Sequence, residues 1–231
     1  MKFNHHTDSV RAVDFSDDGN YIYTASKDQS FAVITNGVVA GQVHEAHDAP
    51  IHALMHIENS NIIATGDDDG IIKIWDLREA NKGKKHAIVM ELAEHEGTIS
   101  QMTYNHECQQ LLAASCDGML GVFDLRTKKL YAMSDNFEED LTSVCLLKND
   151  KKVITSTSEG ILNLFTYDFF GDCNDRITGH PGAIDTMIKY DEDIVITGCE
   201  DGQIRAVSVL PNEIVAILGE PNDPGEEVFH I

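Results

Sequence analysis

The 231-residue chain is poor in basic residues. It holds 17 Lys and Arg against 39 Asp and Glu, so the formal net charge is -22 and the isoelectric point is near 4.6. Nucleic-acid affinity comes mostly from Lys and Arg contacts to phosphate. The composition therefore argues against an extended phosphate-binding surface and disfavours direct binding to RNA or DNA.

Paired cysteines and long apolar runs are also lacking. The five cysteines form no CxxC pair and no Cys/His metal spacing, and an odd number favours ordinary thiols in a reducing compartment. The chain has no run of eighteen apolar residues, and its first residues, MKFNHHTDSV, contain no apolar signal-peptide segment. We therefore expect a soluble intracellular protein without membrane association and without a metal or other cofactor.

Helical periodicity over ten or more residues is missing too, and a different regularity stands in its place. An acidic residue followed by Gly or Gln recurs at separations of 41, 48, 42 and 42 residues. The five occurrences are Asp28-Gln29, Asp69-Gly70, Asp117-Gly118, Glu159-Gly160 and Asp201-Gly202. An apolar run precedes each one and an alternating run follows it, which is typical of a repeat architecture.

Each repeat contains four short strand-like segments. In the second repeat they are IHALMHI (51–57), NIIATG (61–66), IIKIWD (71–76) and AIVMEL (87–92), separated by turn-forming residues. A period near 43 with a Trp-Asp at the end of the third segment resembles the WD-repeat β-propeller. We therefore predict an all-β fold and a single propeller domain spanning residues 1–231.

Five four-stranded blades are recognisable in that pattern. They cover roughly residues 5–43, 47–92, 95–134, 137–178 and 180–220, and EEVFHI (226–231) resembles the first strand of a further blade. Propellers close with four to eight blades, because an open array leaves apolar edges. We predict an incomplete part of a seven-bladed propeller, arranged as an open arc.

Four residue types, His, Ser or Thr, Asp and Trp, recur around the turns. In WD-repeat blades such residues often form a buried hydrogen-bonded chain. The second repeat carries the full set, His47, Thr65, Asp69 and Trp75. The others carry parts of it: His6, Thr24 and Asp28; His95 and Asp117, with Phe123 in the Trp place; Thr155 and Phe165, without a His; and His180, Thr197 and Asp201. The His-to-Asp spacings of 22, 22, 22 and 21 residues indicate a structural network.

A catalytic triad uses the same residue types, since nucleophile, base and orienting carboxylate are also Thr, His and Asp. The trio nevertheless recurs once per repeat, and no G-x-S-x-G, HExxH or phosphate-cradling loop accompanies it. The periodicity favours a blade-building role, and the sequence predicts no enzyme.

The stretch GDDDGIIKIWDLR (66–78) also invites a calcium hypothesis. The helix-loop-helix calcium template would place Thr65, Asp67 and Asp69 at positions 1, 3 and 5, Gly70 at position 6 and Asp76 at position 12. The first carboxylate and the bidentate Glu are missing, and the flanks are β-branched. We predict a turn, with Asp69 in the blade network and Asp67 and Asp68 as turn and solvent residues.

A short motif follows the third strand of two consecutive repeats. Trp75-Asp76-Leu77-Arg78 and Phe123-Asp124-Leu125-Arg126 each place an Asp, one spacer and an Arg at the strand end. They resemble the paired WDxR box of substrate receptors for cullin-4 ubiquitin ligases, in which the Arg reaches the adaptor. Asp76, Arg78, Asp124 and Arg126 are therefore candidate partner-binding residues. The alternative is that each Arg pairs with its own neighbouring Asp and contributes little.

Further stretches are similar to the WD-repeat-containing protein 55 family over essentially the whole chain. They are HTDSVRAVDFSDDGNYIYTASKD (6–28), DLTSV (140–144), TSEGILNLFTYDFFG (157–171) and DGQIRAVSVLPNEIV (201–215). The resemblance implies a seven-bladed, non-enzymatic propeller of the nucleus and nucleolus that acts in ribosomal RNA production and ribosome assembly. Relative to that pattern, most of the first and last blades are missing.

Two functions follow as hypotheses. The first is a scaffold in ribosome biogenesis that binds ribosome-assembly factors; the second is a substrate receptor that binds the cullin-4 adaptor. We favour the scaffold because the family-like stretches cover five repeats, whereas the receptor rests on two tetrapeptides. Localisation in the nucleus and nucleolus follows from the resemblance, with the cytoplasm as the alternative.

The acidic runs at 138–140, 191–193 and 220–227 are interpreted as solvated loops that protect sheet edges, or otherwise as sites for basic partners.

Overall fold

The computed structural model describes residues 2–80 and 88–219. Within them, the chain forms twenty β-strands and one short helical turn, α1 (Leu77–Ala80). Sequence-adjacent strands pair antiparallel in five sheets of four strands each. The prediction of an all-β chain with five four-stranded blades is therefore confirmed.

The strands are assigned to the sheets in chain order. The first sheet contains β1 (Val10–Phe15), β2 (Tyr21–Ser26), β3 (Phe31–Thr35) and β4 (Val38–Val43). The second contains β5 (Ile51–Ile57), β6 (Ile62–Asp67), β7 (Ile72–Asp76) and β8 (Ile88–Leu92). The third contains β9 (Ile99–Asn105), β10 (Gln110–Ser115), β11 (Leu120–Asp124) and β12 (Lys129–Met133). The fourth contains β13 (Leu141–Leu147), β14 (Lys152–Thr157), β15 (Leu162–Thr166) and β16 (Asp175–Ile177). The fifth contains β17 (Ile184–Lys189), β18 (Ile194–Cys199), β19 (Ile204–Ser208) and β20 (Glu213–Gly219).

Burial changes across each sheet. The second and third strands are buried on both faces, as in β10 and β11, where every residue is buried. The fourth strand is largely exposed, as in β4 and β12. Strands covered on both faces read as continuous apolar runs, which explains why IIATG and LLAAS do not alternate.

The chain packs as two units, residues 1–102 and 103–231, and the division falls inside β9. In the first unit, the core lies between the first and second sheets and includes Tyr23, Phe31, Ile51, Ile63 and Trp75. In the second unit, one core lies between the third and fourth sheets and another between the fourth and fifth. Each core is formed by the facing sides of two neighbouring sheets, which is how stacked repeats bury apolar surface that a single repeat cannot.

The acidic-Gly dipeptides form the turn between the second and third strands of a sheet. Gly70 and Gly160 have φ values of +84° and +75°, in the left-handed region that favours Gly. A Cβ at either position would lie 2.5 Å from a carbonyl oxygen of the following loop. Both the backbone angle and the close approach therefore require Gly here, whereas Gln29 adopts φ +66° in the first sheet.

Two further predictions concern thiols and the last residues of the chain. All five cysteines are within the described residues and are thiols rather than disulfide halves. No helix in the described part of the chain is both long and apolar enough to span a membrane. The predicted strand at 226–231 and the acidic run at 220–227 lie outside the described residues.

Candidate functional site

A buried polar chain links two strands of the second sheet, β6 and β7, to the loop before its first strand. Trp75 Nε1–H donates to Thr65 Oγ1 at 2.8 Å, and Thr65 Oγ1 lies 2.7 Å from His47 Nε2. His47 Nδ1 lies 2.7 Å from Asp67 Oδ2, and all four side chains are buried. Because indole only donates and an ionised carboxylate only accepts, the direction that satisfies every group runs from Trp75 through Thr65 and His47 to Asp67.

This geometry corrects the assignment of the aspartates in GDDDG. Asp69 is exposed, and Asp67 takes its predicted place in the network. Asp67 also accepts from the backbone N–H groups of Asp69 and Ile71 at 3.1 and 2.8 Å, so it closes the turn as well. Asp68, predicted to be a solvent residue, accepts two hydrogen bonds from Arg11 of β1 at 2.8 and 2.9 Å.

The first sheet joins its predicted residues in a similar way. His6 Nε2 lies 2.9 Å from Thr24 Oγ1, and His6 Nδ1 lies 3.2 Å from Asp28 Oδ2 and 2.9 Å from Ser30 Oγ. Burial lowers the pKa of His6, against the opposing effect of the Asp28 carboxylate. Burial also opposes ionisation of Asp28, but hydrogen bonds from Ser30 and Thr7 outweigh it and hold the pKa of Asp28 below its ordinary value.

The fifth sheet keeps only part of the predicted network. His180 Nε2 lies 3.0 Å from Thr197 Oγ1, whereas His180 Nδ1 has no hydrogen-bond partner among residues 2–80 and 88–219. The Asp201 carboxylate bonds instead to the Arg205 guanidinium, with Nη1 to Oδ1 at 3.0 Å. The predicted His180–Asp201 link is therefore wrong, because Arg205 competes for the carboxylate. Burial, with a smaller contribution from the Arg205 cation, lowers the pKa of His180 to about 4.

Of the predicted residues of the third repeat, His95 belongs to the first unit, and Asp117 and Phe123 belong to the second. His95 is buried in the loop before β9, in the first unit. Asp117 lies in the turn between β10 and β11, where its carboxylate accepts from Met119 N–H at 3.0 Å. Phe123 in β11 is fully buried, as expected for a residue that stands in the Trp place.

The fourth sheet replaces the network with aromatic packing. Phe137 lies four residues before the first strand, as His47 and His180 do in their repeats. Its ring meets Phe165 edge-on, with centroids 5.7 Å apart. Thr155 and Asn163 face each other across β14 and β15 and are fully buried. Within the part of the chain that the structure describes, their side-chain polar atoms have no hydrogen-bond partner.

Sequence reasoning missed Asp67, Ser30 and Phe137. Asp67 ends β6 two residues after Thr65 and shares its face, so strand alternation was the available signal. The offset of Phe137 from β13 was also visible. Nothing in the pattern distinguished Ser30 from an ordinary turn residue.

The two Asp-x-Arg motifs lie at the ends of β7 and β11. Arg78 donates from Nε and Nη2 to both Asp76 oxygens, at 3.0 and 2.6 Å for the two shortest contacts. Arg126 Nη2 donates to Asp124 Oδ2 at 3.2 Å, and this bond lowers the pKa of Asp124. The Arg side chains are 66% and 64% exposed, whereas the Asp side chains are 16% and 10% exposed. Each Asp therefore holds one side of a guanidinium, and the Arg side chain remains mostly exposed to solvent.

Comparison with known proteins identifies the family of this chain. The family model WDR55 matches residues 1–229. The chain belongs to the WDR55 family. WD repeat-containing protein 55 of Rattus norvegicus is 39% identical over 227 residues, which are 97% of this chain and 57% of that protein. The Arabidopsis thaliana protein of the same name is 39% identical over 226 residues, covering 96% and 62%. The Homo sapiens protein is 39% identical over 227 residues, covering 97% and 57%.

Membership in the WDR55 family makes this a WD-repeat protein, a class that serves protein–protein interaction. The chain spans about three fifths of the length of these relatives. In the WDR55-family chain the polar networks are buried inside the sheets, whereas the Asp-x-Arg motifs are exposed at strand ends. The Arg side chains of the second group are therefore accessible from solvent, whereas the networks are not.

Proposed function

We propose that the chain is a non-enzymatic scaffold that holds partner proteins at the exposed ends of its blades, and that it acts in the nucleus and nucleolus in ribosomal RNA production and ribosome biogenesis. Membership in the WDR55 family carries the proposal. The partners are ribosome-assembly factors.

The physical basis for a scaffold is the contrast between the inside and the ends of the sheets. The Trp75 chain and its counterpart at His6 are buried and fix strand positions. Charged side chains such as Arg78 and Arg126 are exposed on those fixed strand ends. Rigid elements present binding groups with little loss of conformational entropy, which favours affinity.

The scaffold proposal is tested by depletion and rescue. A fluorescently tagged chain should concentrate in nucleoli, and its depletion should change the ratio of ribosomal RNA precursors to mature ribosomal RNA on a northern blot. Re-expression of the chain should restore that ratio. The Tyr190→Ser variant, which alters a 70% exposed side chain away from the motifs, is the surface control and should restore the ratio equally well. A diffuse cytoplasmic protein with unchanged precursors would rule the proposal out.

A second function is supported by a specific observation, the tandem Asp-x-Arg geometry. A guanidinium that is held by an Asp and still exposed is a good bidentate donor to a partner carboxylate or carbonyl. We therefore also propose a role as substrate receptor of a cullin-4 ubiquitin ligase, with Arg78 and Arg126 contacting the adaptor.

The receptor role is tested with the double variant Arg78→Ala, Arg126→Ala. Co-purification of the cullin-4 adaptor should be lost while the thermal midpoint stays within the error of the unmodified chain, because exposed ion pairs contribute little to stability. Lys27→Ala, at an exposed turn of the first sheet, is the matched control. Retention of the adaptor by the double variant would exclude this role and leave the scaffold proposal intact.

A further inference from the structure

One side of the third and fourth sheets carries basic and apolar side chains together. We call this cluster the β12 patch, and its members are Arg126, Lys128, Lys129, Leu130, Tyr131 and Phe169. All six are exposed. They lie within the second unit, on β12, on the turn before it and on the turn that follows β15.

The apolar members are held in their exposed positions by hydrogen bonds. Tyr131 and Phe169 are 51% and 69% exposed, and Leu130 is 37% exposed. Tyr131 Oη–H donates to Asp168 Oδ1 at 3.1 Å, which joins β12 to the turn of the next sheet. Phe169 N–H donates to the Thr166 carbonyl at 2.9 Å. The first bond places the Tyr131 hydroxyl beside the residue that precedes Phe169, so the two exposed rings stand on neighbouring, hydrogen-bonded segments.

The backbone of β12 adds a second feature. β12 is the last strand in the order of its sheet, so one of its edges carries main-chain groups that are not used within that sheet. Its register shifts by one residue: Val122 pairs with Ala132 and Phe123 pairs with Leu130, which leaves Tyr131 as the extra residue of a bulge. A bulge re-aims side chains and turns an edge, and here it exposes Leu130 and Tyr131 together.

Basic residues are concentrated at this edge of the third sheet. The chain has 17 basic residues in 231 and a net charge of -22, yet three basic residues fall within the four positions 126–129. Of the nearby carboxylates, Asp124 is bonded to Arg126 and Asp168 accepts from Tyr131. Asp168 keeps its charge, but the three cations outnumber these two carboxylates, so the patch favours an anion. Its apolar side chains are complementary to a partner that also carries apolar groups.

We propose that the β12 patch binds an extended acidic segment of a partner protein, in which carboxylates meet Arg126, Lys128 and Lys129 and an aromatic or aliphatic residue packs between Tyr131 and Phe169. The segment adds its main chain to the edge of β12, and its side chains give the specificity. This inference rests on the proposed scaffold function and names the chemistry of one of its partners.

The test uses the whole chain and a fluorescein-labelled peptide of about ten residues in which Glu alternates with Val and Phe. Fluorescence anisotropy should show saturable binding that weakens as NaCl is raised, because screening reduces the attraction. Lys129→Glu and Phe169→Ser should each weaken binding about tenfold, which is about 1.4 kcal/mol. Lys27→Glu and Tyr190→Ser change an exposed cation and an exposed ring elsewhere, and should leave binding unchanged.

Four outcomes would overturn the inference. One is the absence of saturable binding to the Glu peptide, another is equal binding of a twin peptide with Lys in place of Glu, and the third is an equal loss with the Tyr190→Ser control. Preferential binding of a single-stranded RNA of similar length would also overturn it and would assign the patch to nucleic acid. Arg78 and Arg126 are unchanged in these variants. A negative peptide result with intact nucleolar localisation and normal rescue therefore rejects the patch alone and not the scaffold.

Discussion

At the scale of single residues, the position of one carboxylate shows what spacing can and cannot reveal. A regular His-to-Asp spacing selected Asp69, yet Asp67 bonds to His47. Successive side chains of a strand point to opposite faces. Asp67 ends β6 two residues after Thr65, so both side chains lie on the same face, whereas Asp69 lies in the turn. With three consecutive aspartates, strand parity identifies the network residue better than spacing does.

Asparagine substitutions separate these two aspartates. Asp67→Asn removes a buried charged acceptor of the His47 bond and should lower the free energy of unfolding by about 2 kcal/mol. Asp69→Asn changes an exposed side chain and should stay within about 0.5 kcal/mol of the unmodified chain. Urea unfolding of both variants gives the comparison. An equal or larger loss in Asp69→Asn would restore the assignment made from the spacing.

His180 should make the stability of the chain depend on pH. Its pKa is lowered to about 4 by burial, with Arg205 contributing, while the unfolded chain protonates this group near the ordinary value of about 6.5. Between these values the unfolded state binds more protons, so the free energy of unfolding should fall as pH drops from about 6.5 to about 4.

The His180→Gln variant isolates this effect, since Gln keeps a group able to bond to Thr197 but does not titrate. The urea midpoint should fall further between pH 7.0 and pH 5.0 in the unmodified chain than in the variant, by an amount corresponding to about 2 kcal/mol. Equal falls in the two proteins would show that His180 is protonated as readily in the folded chain as in the unfolded chain.

At the scale of elements, the repeat pattern predicted the strands but not every polar contact inside a sheet. The alternation and the acidic-Gly turns locate twenty strands in five sheets, because these depend on local backbone chemistry. The missing His of the fourth repeat was equally visible. The diversion of Asp201 to Arg205 was not, because a long side chain four residues away competes for the same carboxylate.

The same substitution in two sheets should have opposite effects. In the fourth sheet Thr155 is buried and its hydroxyl has no hydrogen-bond partner among the described residues, so Thr155→Val should raise the free energy of unfolding by up to about 1 kcal/mol. In the second sheet Thr65 bonds to both His47 and Trp75, so Thr65→Val should lower it by about 2 kcal/mol. Denaturant midpoints of the two variants measure the difference. A loss in Thr155→Val as large as that in Thr65→Val would show that the Thr155 hydroxyl is as well satisfied as that of Thr65.

At the scale of the whole molecule, the acidic excess has more than one role. The run at 191–193 was interpreted as a solvated loop, but Glu192 accepts from Asn149 N–H at 2.6 Å and Asp193 pairs with the Lys148 ammonium. These contacts connect the turn of the fifth sheet to that of the fourth. Part of the acidic sequence therefore joins neighbouring repeats, while the rest contributes uncompensated negative charge.

That uncompensated charge should make the chain more stable in salt. A net charge of -22 opposes the compact state through self-repulsion, and raising NaCl from about 0.01 to about 0.1 M shortens the screening length from about 30 to about 10 Å. The exposed ion pairs that salt weakens are each worth at most about 1 kcal/mol, so relief of repulsion should dominate and the thermal midpoint should rise. A midpoint that falls with added salt at pH 7 would mean that ion pairs between neighbouring turns, such as Lys148 with Asp193, contribute more to stability than the repulsion removes.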